Sequence, residues 1–129
     1  MTPSGDRDPA HILVVDDEED IRQLLGQLLT MEGYEVMVAE SGSKALTCLR
    51  ANPQAVSLIL LDLMMPGMNG WQFRTEQLKD PALAAIPAVV MTGAGLKAED
   101  MKALGSCEVL FKPVNVDTLF ERIRRYVPG

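Results

Sequence analysis

The sequence predicts an α/β protein, a flavodoxin-like (βα)5 doubly wound sandwich whose five-stranded parallel sheet has the order 2-1-3-4-5. Short runs of apolar, β-branched residues alternate five times with segments of helical periodicity, which indicates a parallel sheet with helices on both faces. Three of the runs are almost continuously apolar, as strands buried on both faces should be. The length of 129 residues and the hydrophobic share of 47% suit one globular domain.

The amino-terminal half of the chain contains two βα units and a third strand. In chain order, strands and helices alternate at residues 11–17, 18–31, 34–39, 43–51 and 56–61. The strands are rich in Val, Ile and Leu, and leucines recur at helical spacing in the first helix. Gly33 supplies a stop for that helix, and either Ser41 or Ser43 supplies a cap for the second. The second strand alternates apolar and polar residues, which is typical of a sheet edge.

The carboxyl-terminal half continues the same alternation. In chain order, helices and strands follow at residues 70–78, 86–92, 97–104, 107–111 and 115–127. A Lys-Asp-Pro turn closes the third helix, and Gly105 ends the short fourth helix. The fifth helix is amphipathic. Its predicted apolar side consists of Val116, Leu119, Phe120, Ile123 and Val127.

The composition argues against several classes of protein. A formal net charge of -6 disfavours a nucleic-acid-binding surface, which needs basic residues against the phosphates. Every apolar run of the sequence is shorter than the roughly 18 residues that span a bilayer. Cys48 and Cys107 fit neither a disulfide framework nor a CxxC metal spacing. We therefore expect a cytoplasmic protein without direct nucleic-acid binding or membrane contact.

Polar side chains follow four of the predicted strands. Strand one ends at Asp16 and Asp17, strand three at Asp62, strand four at Thr92, and strand five leads into Lys112. In doubly wound sheets, ligands bind outside the carboxyl ends of the strands, at the switch point between strands one and three. The sequence therefore predicts that three carboxylates, a hydroxyl and an ammonium group meet at one edge of the sheet.

Such a set of groups suits a divalent cation and a phosphoryl group. Three close carboxylates repel one another, and a hard cation with oxygen ligands, such as Mg²⁺, relieves that repulsion. A carboxylate can itself be the nucleophile and form an aspartyl phosphate, while a hydroxyl and a lysine hold the other phosphoryl oxygens. Positioning and charge neutralisation dominate phosphoryl transfer.

Four motifs at these strand ends resemble the receiver domain of two-component response regulators. They are VVDDEEDIR, LLDLMMPGMNG, VVMTG and LFKP, in the family order and near the family spacing. The resemblance covers roughly residues 10–127, so we expect a flexible tail at residues 1–10 and a receiver domain at residues 11–127. It implies a module that accepts a phosphoryl group from a histidine kinase and switches a protein-interaction surface.

The resemblance implies a metal-binding and phosphoacceptor role for four residues. Asp62 is the expected phosphoacceptor and also a metal ligand. Asp17 is expected to ligate Mg²⁺ directly, and Asp16 is expected to assist through a water molecule. Met64 is expected to offer the metal its backbone carbonyl, and not its side chain.

The resemblance also implies a switch. Thr92 is expected to hydrogen-bond the phosphoryl group after switching, and Lys112 to pair with the phosphoryl oxygens. The Lys112–Pro113 bond is expected to be cis, an uncommon geometry. Many receivers carry an aromatic residue three positions before the lysine, which changes rotamer on activation. Val109 stands at that position here, so the switch is expected to lack that ring, and the fourth-helix region is slightly short.

The expected partners also follow from the resemblance. They are a histidine kinase or a phosphotransfer protein upstream, and a downstream protein or an attached output domain. A homodimer through the fourth and fifth helices is left open. Catalysis is expected to be limited to the domain's own phosphorylation and dephosphorylation, so we do not expect an enzyme.

Other interpretations of the same residues stay open at this point. The acidic run DDEED also fits a helix cap at Asp17, with Asp20 completing a box-like arrangement. Val109 suits a receiver-like interaction domain that acts without phosphorylation. A Mg²⁺-dependent phosphohydrolase with an aspartyl phosphate is a weaker alternative, because Asp62 is followed by Leu-Met-Met without a second acid.

Overall fold

Five strands and five helices alternate along the residues that this computed structural model describes, which are 11–93, 95–105 and 107–127. In chain order they are β1 (His11–Val15), α1 (Glu19–Met31), β2 (Glu35–Ala39), α2 (Gly42–Ala51), β3 (Val56–Asp62), α3 (Gly70–Lys79), β4 (Ala88–Thr92), α4 (Ala98–Ala103), β5 (Glu108–Phe111) and α5 (Val116–Tyr126). The predicted tail at residues 1–10 lies outside the described residues. No helix within the described ranges is long and apolar enough to cross a membrane.

The strands form one parallel sheet in the order β2-β1-β3-β4-β5. The predicted flavodoxin-like, doubly wound topology is therefore confirmed. The predicted edge position of β2 is also confirmed, and Glu35 and Val38 of this strand are exposed. Because all strands run in the same direction, their carboxyl ends share one edge. We call this edge the carboxyl rim, which is formed by Asp16, Asp17, Asp62, Thr92 and Lys112.

Two apolar layers cover the sheet, because successive strand side chains point to opposite faces. The first layer joins strand residues to α2 and α3, and it includes Leu13, Ile59, Val90, Leu49 and Phe73. The second layer joins strand residues to α1 and α5, and it includes Ile12, Leu58, Val89, Leu29 and Ile123. With both faces covered, β4 is buried along its whole length, which explains its continuous apolar sequence.

Local signals end or begin several helices where the sequence predicts. Gly33 has a φ of 94°, the left-handed conformation that glycine adopts readily after a helix. Of the two candidate serines, Ser41 is the cap of α2, and its hydroxyl accepts a hydrogen bond from the Lys44 amide at 3.1 Å. Asn69 and Gln72 form a reciprocal capping box at the start of α3. Helix α3 therefore begins at Gly70, as the sequence predicts.

One open alternative and one predicted detail are wrong. The N-cap of α1 is Glu18, without a side-chain cap bond, so the interpretation of Asp17 as the cap fails. The turn after β1 instead places the Glu18 amide 2.9 Å from Oδ1 of Asp16. Val116 is 43% exposed because it opens α5 and lies outside the apolar layer that buries Leu119.

Candidate functional site

Three carboxylates meet at the carboxyl rim. Asp16 and Asp17 follow β1 and Asp62 ends β3, and one oxygen of each lies within 4.8 Å of the others. Parallel pairing of Val15 with Leu61 brings the two strand ends side by side. Asp16 is fully buried and Asp62 is 3% exposed, whereas Asp17 is exposed. The structure therefore forms the predicted cluster, with two buried members and one open to solvent.

Asp16 is held on three sides by hydrogen bonds. Its amide donates to the Ala39 carbonyl at 3.2 Å, and its Oδ1 accepts from the Glu18 amide at 2.9 Å. Nη1 of Arg22 donates to its carbonyl at 2.7 Å. Within the described part of the chain, the buried Oδ2 of Asp16 has no hydrogen-bond partner. Arg22 was not among the predicted site residues. Its position in α1, two residues after the acidic run DDEED, is the feature that could have indicated it.

Lys112 completes the charged part of the site. Its Nζ lies 3.5 Å from Oδ1 of Asp62 and 3.8 Å from Oδ2 of Asp16. Its amide donates to the Thr92 carbonyl at 2.8 Å, so the backbone of β4 fixes where this side chain starts. Thr92 is fully buried at the end of β4. The Lys112–Pro113 bond is cis, as the sequence predicts.

The electrostatics of the site disfavour ionised carboxylates. Burial, reinforced by the neighbouring charge of Asp16, raises the pKa of Asp62 to about 6. The Lys112 ammonium and the Met64 amide oppose this rise without cancelling it. Burial likewise raises the pKa of Asp16, against the Glu18 amide and Lys112. The negative charges of Asp16 and Asp62 are therefore only partly compensated by Lys112 and the neighbouring backbone amides.

The three acids fit a hard divalent cation. Each offers a carboxylate oxygen, the ligand type that Mg²⁺ prefers. Oδ2 of Asp16 is buried and has no hydrogen-bond partner among the described residues, as an oxygen kept for a cation would be. A bound cation would also favour the ionised forms of Asp16 and Asp62, whose pKa values are raised by burial and by neighbouring carboxylates. Asp16, Asp17 and Asp62 are therefore the residues that would hold the metal.

The loop after β3 is closed tightly on the start of α3. Met64 donates its amide to Oδ1 of Asp62 at 3.3 Å, while its side chain is 56% exposed. The Gly70 amide donates to the Leu63 carbonyl at 2.8 Å. A Cβ at Gly70 would lie 2.9 Å from Cα of Leu63, so only glycine fits here. The Met64 side chain is not part of the acidic cluster, and metal binding by its carbonyl stays a prediction.

Val109 lies away from the carboxylates and contributes no ring to the site. It pairs with Val90 in the sheet and packs, half-buried, against the first apolar layer. The aromatic residue of β5 is Phe111, which lies opposite Thr92 in the sheet register and is 51% exposed. A role of Val109 in switching therefore stays a prediction without an aromatic rotamer to support it.

Fold and site together define a doubly wound α/β domain with a cluster of acidic side chains and a lysine at the carboxyl ends of its strands. Residues 12–124 match the profile of the response regulator receiver domain. The chain belongs to this family, as its sequence motifs predict.

Known relatives agree with this assignment. Protein PilH of Pseudomonas aeruginosa is 32% identical over 122 residues, which are 93% of this chain and 99% of PilH. Transcriptional regulatory protein GlrR of Escherichia coli is 38% identical over 117 residues, which are 89% of this chain and 26% of GlrR. The chain thus spans about a quarter of the length of GlrR.

Solved structures show the same fold. The chemotaxis protein CheY4 of Vibrio cholerae superposes with a TM-score of 0.84 at 30% identity, and the match covers 93% of this chain and 100% of CheY4. The response regulator TrrA of Thermotoga maritima, solved in complex with Mg²⁺-BeF, has a TM-score of 0.80 at 32% identity, with 92% of this chain and 99% of TrrA covered.

Proposed function

We propose that this domain is the phosphoacceptor module of a two-component phosphorelay and carries a phosphoryl group on Asp62. The pocket itself carries the proposal. Asp62 is almost buried, lies 3.5 Å from the Lys112 ammonium, and shares its surroundings with Asp16 and Asp17. The nucleophile Asp62, the ammonium group of Lys112 and two further carboxylates for a metal ion thus lie in one place. Phosphoryl transfer to a carboxylate requires these groups.

The proposed reaction transfers a phosphoryl group from a phosphohistidine to Asp62. A carboxylate oxygen of Asp62 attacks phosphorus, the new O–P bond forms as the P–N bond breaks, and the departing imidazole takes a proton from solvent. Lys112 compensates the negative charge on the phosphoryl oxygens. The Met64 amide, 3.3 Å from Oδ1 of Asp62, orients the carboxylate. Mg²⁺ held by Asp16, Asp17 and Asp62 would supply charge neutralisation for the carboxylates and the phosphoryl group.

The comparisons support the chemistry of this proposal. TrrA was solved with Mg²⁺-BeF, and the acidic cluster of the present chain has the donor set for the same cation. The match covers 99% of PilH but only 26% of GlrR. Receiver modules therefore occur among the relatives both nearly alone and as part of longer regulators.

The partners follow from the same proposal. A histidine kinase or a phosphotransfer protein donates the phosphoryl group, inside the cytoplasm where such donors act. A downstream protein or an attached output domain reads the switched surface, and a homodimer is one form that this output can take. The domain promotes only its own phosphorylation and dephosphorylation, so it does not turn over an external substrate as an enzyme.

Intact mass spectrometry after incubation with acetyl phosphate tests the proposal. The wild type should gain one phosphoryl group in the presence of Mg²⁺ and none after chelation with EDTA. Asp62→Asn should gain none under either condition. Asp20→Asn, which removes an exposed acid of the same DDEED run, is the matched control and should be modified like the wild type.

Three outcomes would argue against the proposal. A folded, Mg²⁺-binding wild type that gains no phosphoryl group would favour the receiver-like interaction domain that acts without phosphorylation. Modification that persists in Asp62→Asn would place the acceptor elsewhere. Steady hydrolysis of an external phosphate ester, other than a small acyl phosphate, would favour the phosphohydrolase.

A further inference from the structure

The six residues of helix α4 add no buried side chain to the apolar layers, although Leu96 before the helix packs against the first layer and Leu104 after it is fully buried there. Each residue of Ala98–Ala103 is exposed or half-buried, and a helix of six residues is too short to be stable by itself. Glycines stand on both sides of it, at Gly95 and at Gly105, whose φ is 80°. The position of α4 must therefore be set by its flanking residues and by contacts with neighbouring elements.

Two side chains of α3 bind the backbone of the α4 segment. Nε1 of Trp71 donates a hydrogen bond to the Asp100 carbonyl at 3.0 Å. Nε of Arg74 donates to the Leu104 carbonyl, just after α4, at 2.8 Å. The carboxylate of Asp100 accepts from the Lys97 amide at 3.0 Å, so Trp71 binds the residue that also caps α4. The first contact lies in the middle of α4 and the second just beyond its end, so together they restrain the orientation of α4 on α3.

Arg74 is itself part of a buried polar network. It is 2% exposed, and its Nη1 donates to Oε1 of Gln77 at 2.7 Å. Nε2 of Gln77 donates to the carbonyls of Leu83 and Ile86 at 3.0 and 2.9 Å. A satisfied buried network of this kind restrains its members. The Arg74 guanidinium is thus a firm attachment point that joins α3, the α3–β4 loop and the end of α4.

The start of α3 is equally firmly attached to the loop that carries the acceptor. Gly70 donates its amide to the Leu63 carbonyl at 2.8 Å, and a Cβ on Gly70 would lie 2.7 Å from Cδ1 of Leu63. Leu63 directly follows Asp62, and Trp71 directly follows Gly70. A displacement of the loop after Asp62 therefore reaches Trp71 through close-packed backbone.

We propose that Trp71 and Arg74 are positioning residues that couple the loop after Asp62 to α4, so that phosphorylation moves α4 through α3. The attachment of α4 to α3 at two points is observed directly in the hydrogen bonds of Trp71 and Arg74. The response to phosphorylation rests on the proposed function. This route takes the place of an aromatic rotamer at Val109, which has no ring. The two arrangements of α4 would differ in whether these contacts are made, as a population shift requires.

Hydrogen exchange of the α4 backbone, measured by mass spectrometry, tests the coupling. Wild type, Trp71→Phe and Arg74→Met are compared with Mg²⁺ alone and with Mg²⁺ plus acetyl phosphate. Thr75→Ala is the matched control, because its hydroxyl bonds within α3 to the Trp71 carbonyl and is exposed. The intact mass of each sample is also measured, which reports the phosphoryl adduct independently of hydrogen exchange.

The unmodified proteins should already differ. Loss of one neutral hydrogen bond in Trp71→Phe should speed α4 exchange about fivefold. Loss of the charged donor in Arg74→Met should speed it roughly tenfold or more. Exchange in the β1 and β3 peptides should not change, and Thr75→Ala should match the wild type. Trp71→Phe retains most of the apolar contact, so it reports the lost N–H even if Arg74→Met folds poorly.

The phosphorylated proteins test the coupling itself. In the wild type and Thr75→Ala, the adduct should change the α4 exchange rate, and the emission of Trp71, the only tryptophan, should change with it. In Trp71→Phe and Arg74→Met, the change in α4 exchange rate that the adduct causes should be at most about one third of the change in the wild type.

Equal α4 exchange in the wild type and both variants, without the adduct, would overturn the attachment and the inference with it. An adduct that alters α4 equally in all proteins would overturn the coupling and leave the proposed function intact. A wild type without any adduct would overturn the proposed function and the coupling, while the exchange of the unmodified variants would still decide the attachment.

Discussion

The ammonium nitrogen of Lys112 lies 3.5 Å from Oδ1 of Asp62, although 50 residues of sequence separate them. The strand between β3 and β5 explains this proximity. β4 pairs with both neighbours, and its last residue, Thr92, accepts a hydrogen bond from the Lys112 amide at 2.8 Å. The Lys112 side chain therefore starts at the carboxyl rim and reaches across the end of β4 to the acceptor. Four predictions follow from this geometry and its surroundings.

Lys112→Met should separate metal binding from phosphoryl transfer. Removal of a positive charge beside Asp62 favours a cation electrostatically, so Mg²⁺ should bind a few-fold more tightly in calorimetric titration. Transfer from acetyl phosphate should slow at least about tenfold, because the phosphoryl oxygens lose their cation. Lys44→Met, which removes an exposed lysine paired with Glu40, is the control and should change neither quantity. Parallel losses of Mg²⁺ affinity and rate would contradict the assigned role of Lys112.

Asp62→Asn should stabilise the metal-free protein at neutral pH. Folding raises the pKa of Asp62 from its usual 3.8 to about 6, so the folded state binds the proton more tightly than the unfolded state. Wild-type stability therefore falls as the pH rises from about 4 to about 6. The variant escapes this cost, which is at most about 3 kcal/mol, because it carries no charge to bury.

Thermal unfolding in EDTA at several pH values tests whether Asp62→Asn is more stable than the wild type. The melting temperature of Asp62→Asn should exceed that of the wild type above pH 6 and approach it below pH 4. Addition of Mg²⁺ should narrow the gap at pH 7, since it binds the folded wild type more tightly. Glu76→Gln, which changes a half-exposed acid of α3 outside the acidic cluster, should have the melting temperature of the wild type at every pH. A variant that is less stable than the wild type at pH 7 would contradict the raised pKa.

Asp16→Asn should weaken Mg²⁺ binding and bring the pKa of Asp62 down. Asp16 is buried beside Asp62, and its charge contributes to the raised pKa of that acid. Loss of one metal-binding carboxylate should cost about tenfold or more in Mg²⁺ affinity. Calorimetry measures the affinity, and carboxyl-carbon NMR titration measures the pKa. Asp20→Asn serves as the control, and an unchanged Mg²⁺ affinity in Asp16→Asn would rule out Asp16 as part of the metal site.

Gly70→Ala should destabilise the fold and impair phosphorylation. The new Cβ would lie 2.9 Å from Cα of Leu63, so the loop after Asp62 must move. Crowding of this kind costs about 1–3 kcal/mol. Gly26→Ala is the matched control, because the nearest atom to its Cβ, on Val36, lies 4.0 Å away.

The free energy of unfolding, measured by denaturant titration, should therefore fall in Gly70→Ala and rise in Gly26→Ala. Gly26→Ala should gain about 0.5–1 kcal/mol, as alanine is the better residue within a helix. Phosphorylation of Gly26→Ala should match the wild type, while that of Gly70→Ala should be slower. A Gly70→Ala protein with wild-type stability would show that the loop can adapt without strain.

Much of the fold was predictable because its signals are local. The apolar runs that form β1, β3 and β4 are buried on both faces, and a residue that follows such a run must emerge at the carboxyl rim. The positions of Asp16 and Asp62 follow from that rule, and Lys112 follows the shorter, partly buried strand β5 in the same way. Their meeting follows from the strand order, which the βα alternation also predicts.

Other features depended on the packing of distant segments. The periodicity of α3 does not show that Arg74 binds the Leu104 carbonyl or that Gln77 binds the α3–β4 loop. The acidic run did not show which residue would cap α1: a cap at Asp17 was an open alternative, and the structure places the N-cap at Glu18, without a side-chain cap bond. Val116 fits the apolar pattern of α5 and is nevertheless exposed.

The sequence by itself determined the order of strands and helices, the residues at each strand end, and the chemical groups available at the site. Only the tertiary structure decided that one oxygen of Asp16 is left without a hydrogen-bond partner among the described residues, and that Trp71 and Arg74 hold α4. The reason is physical. Periodicity records which face of an element is buried, whereas the partner of a buried polar group depends on which backbone atoms other segments bring within about 3 Å.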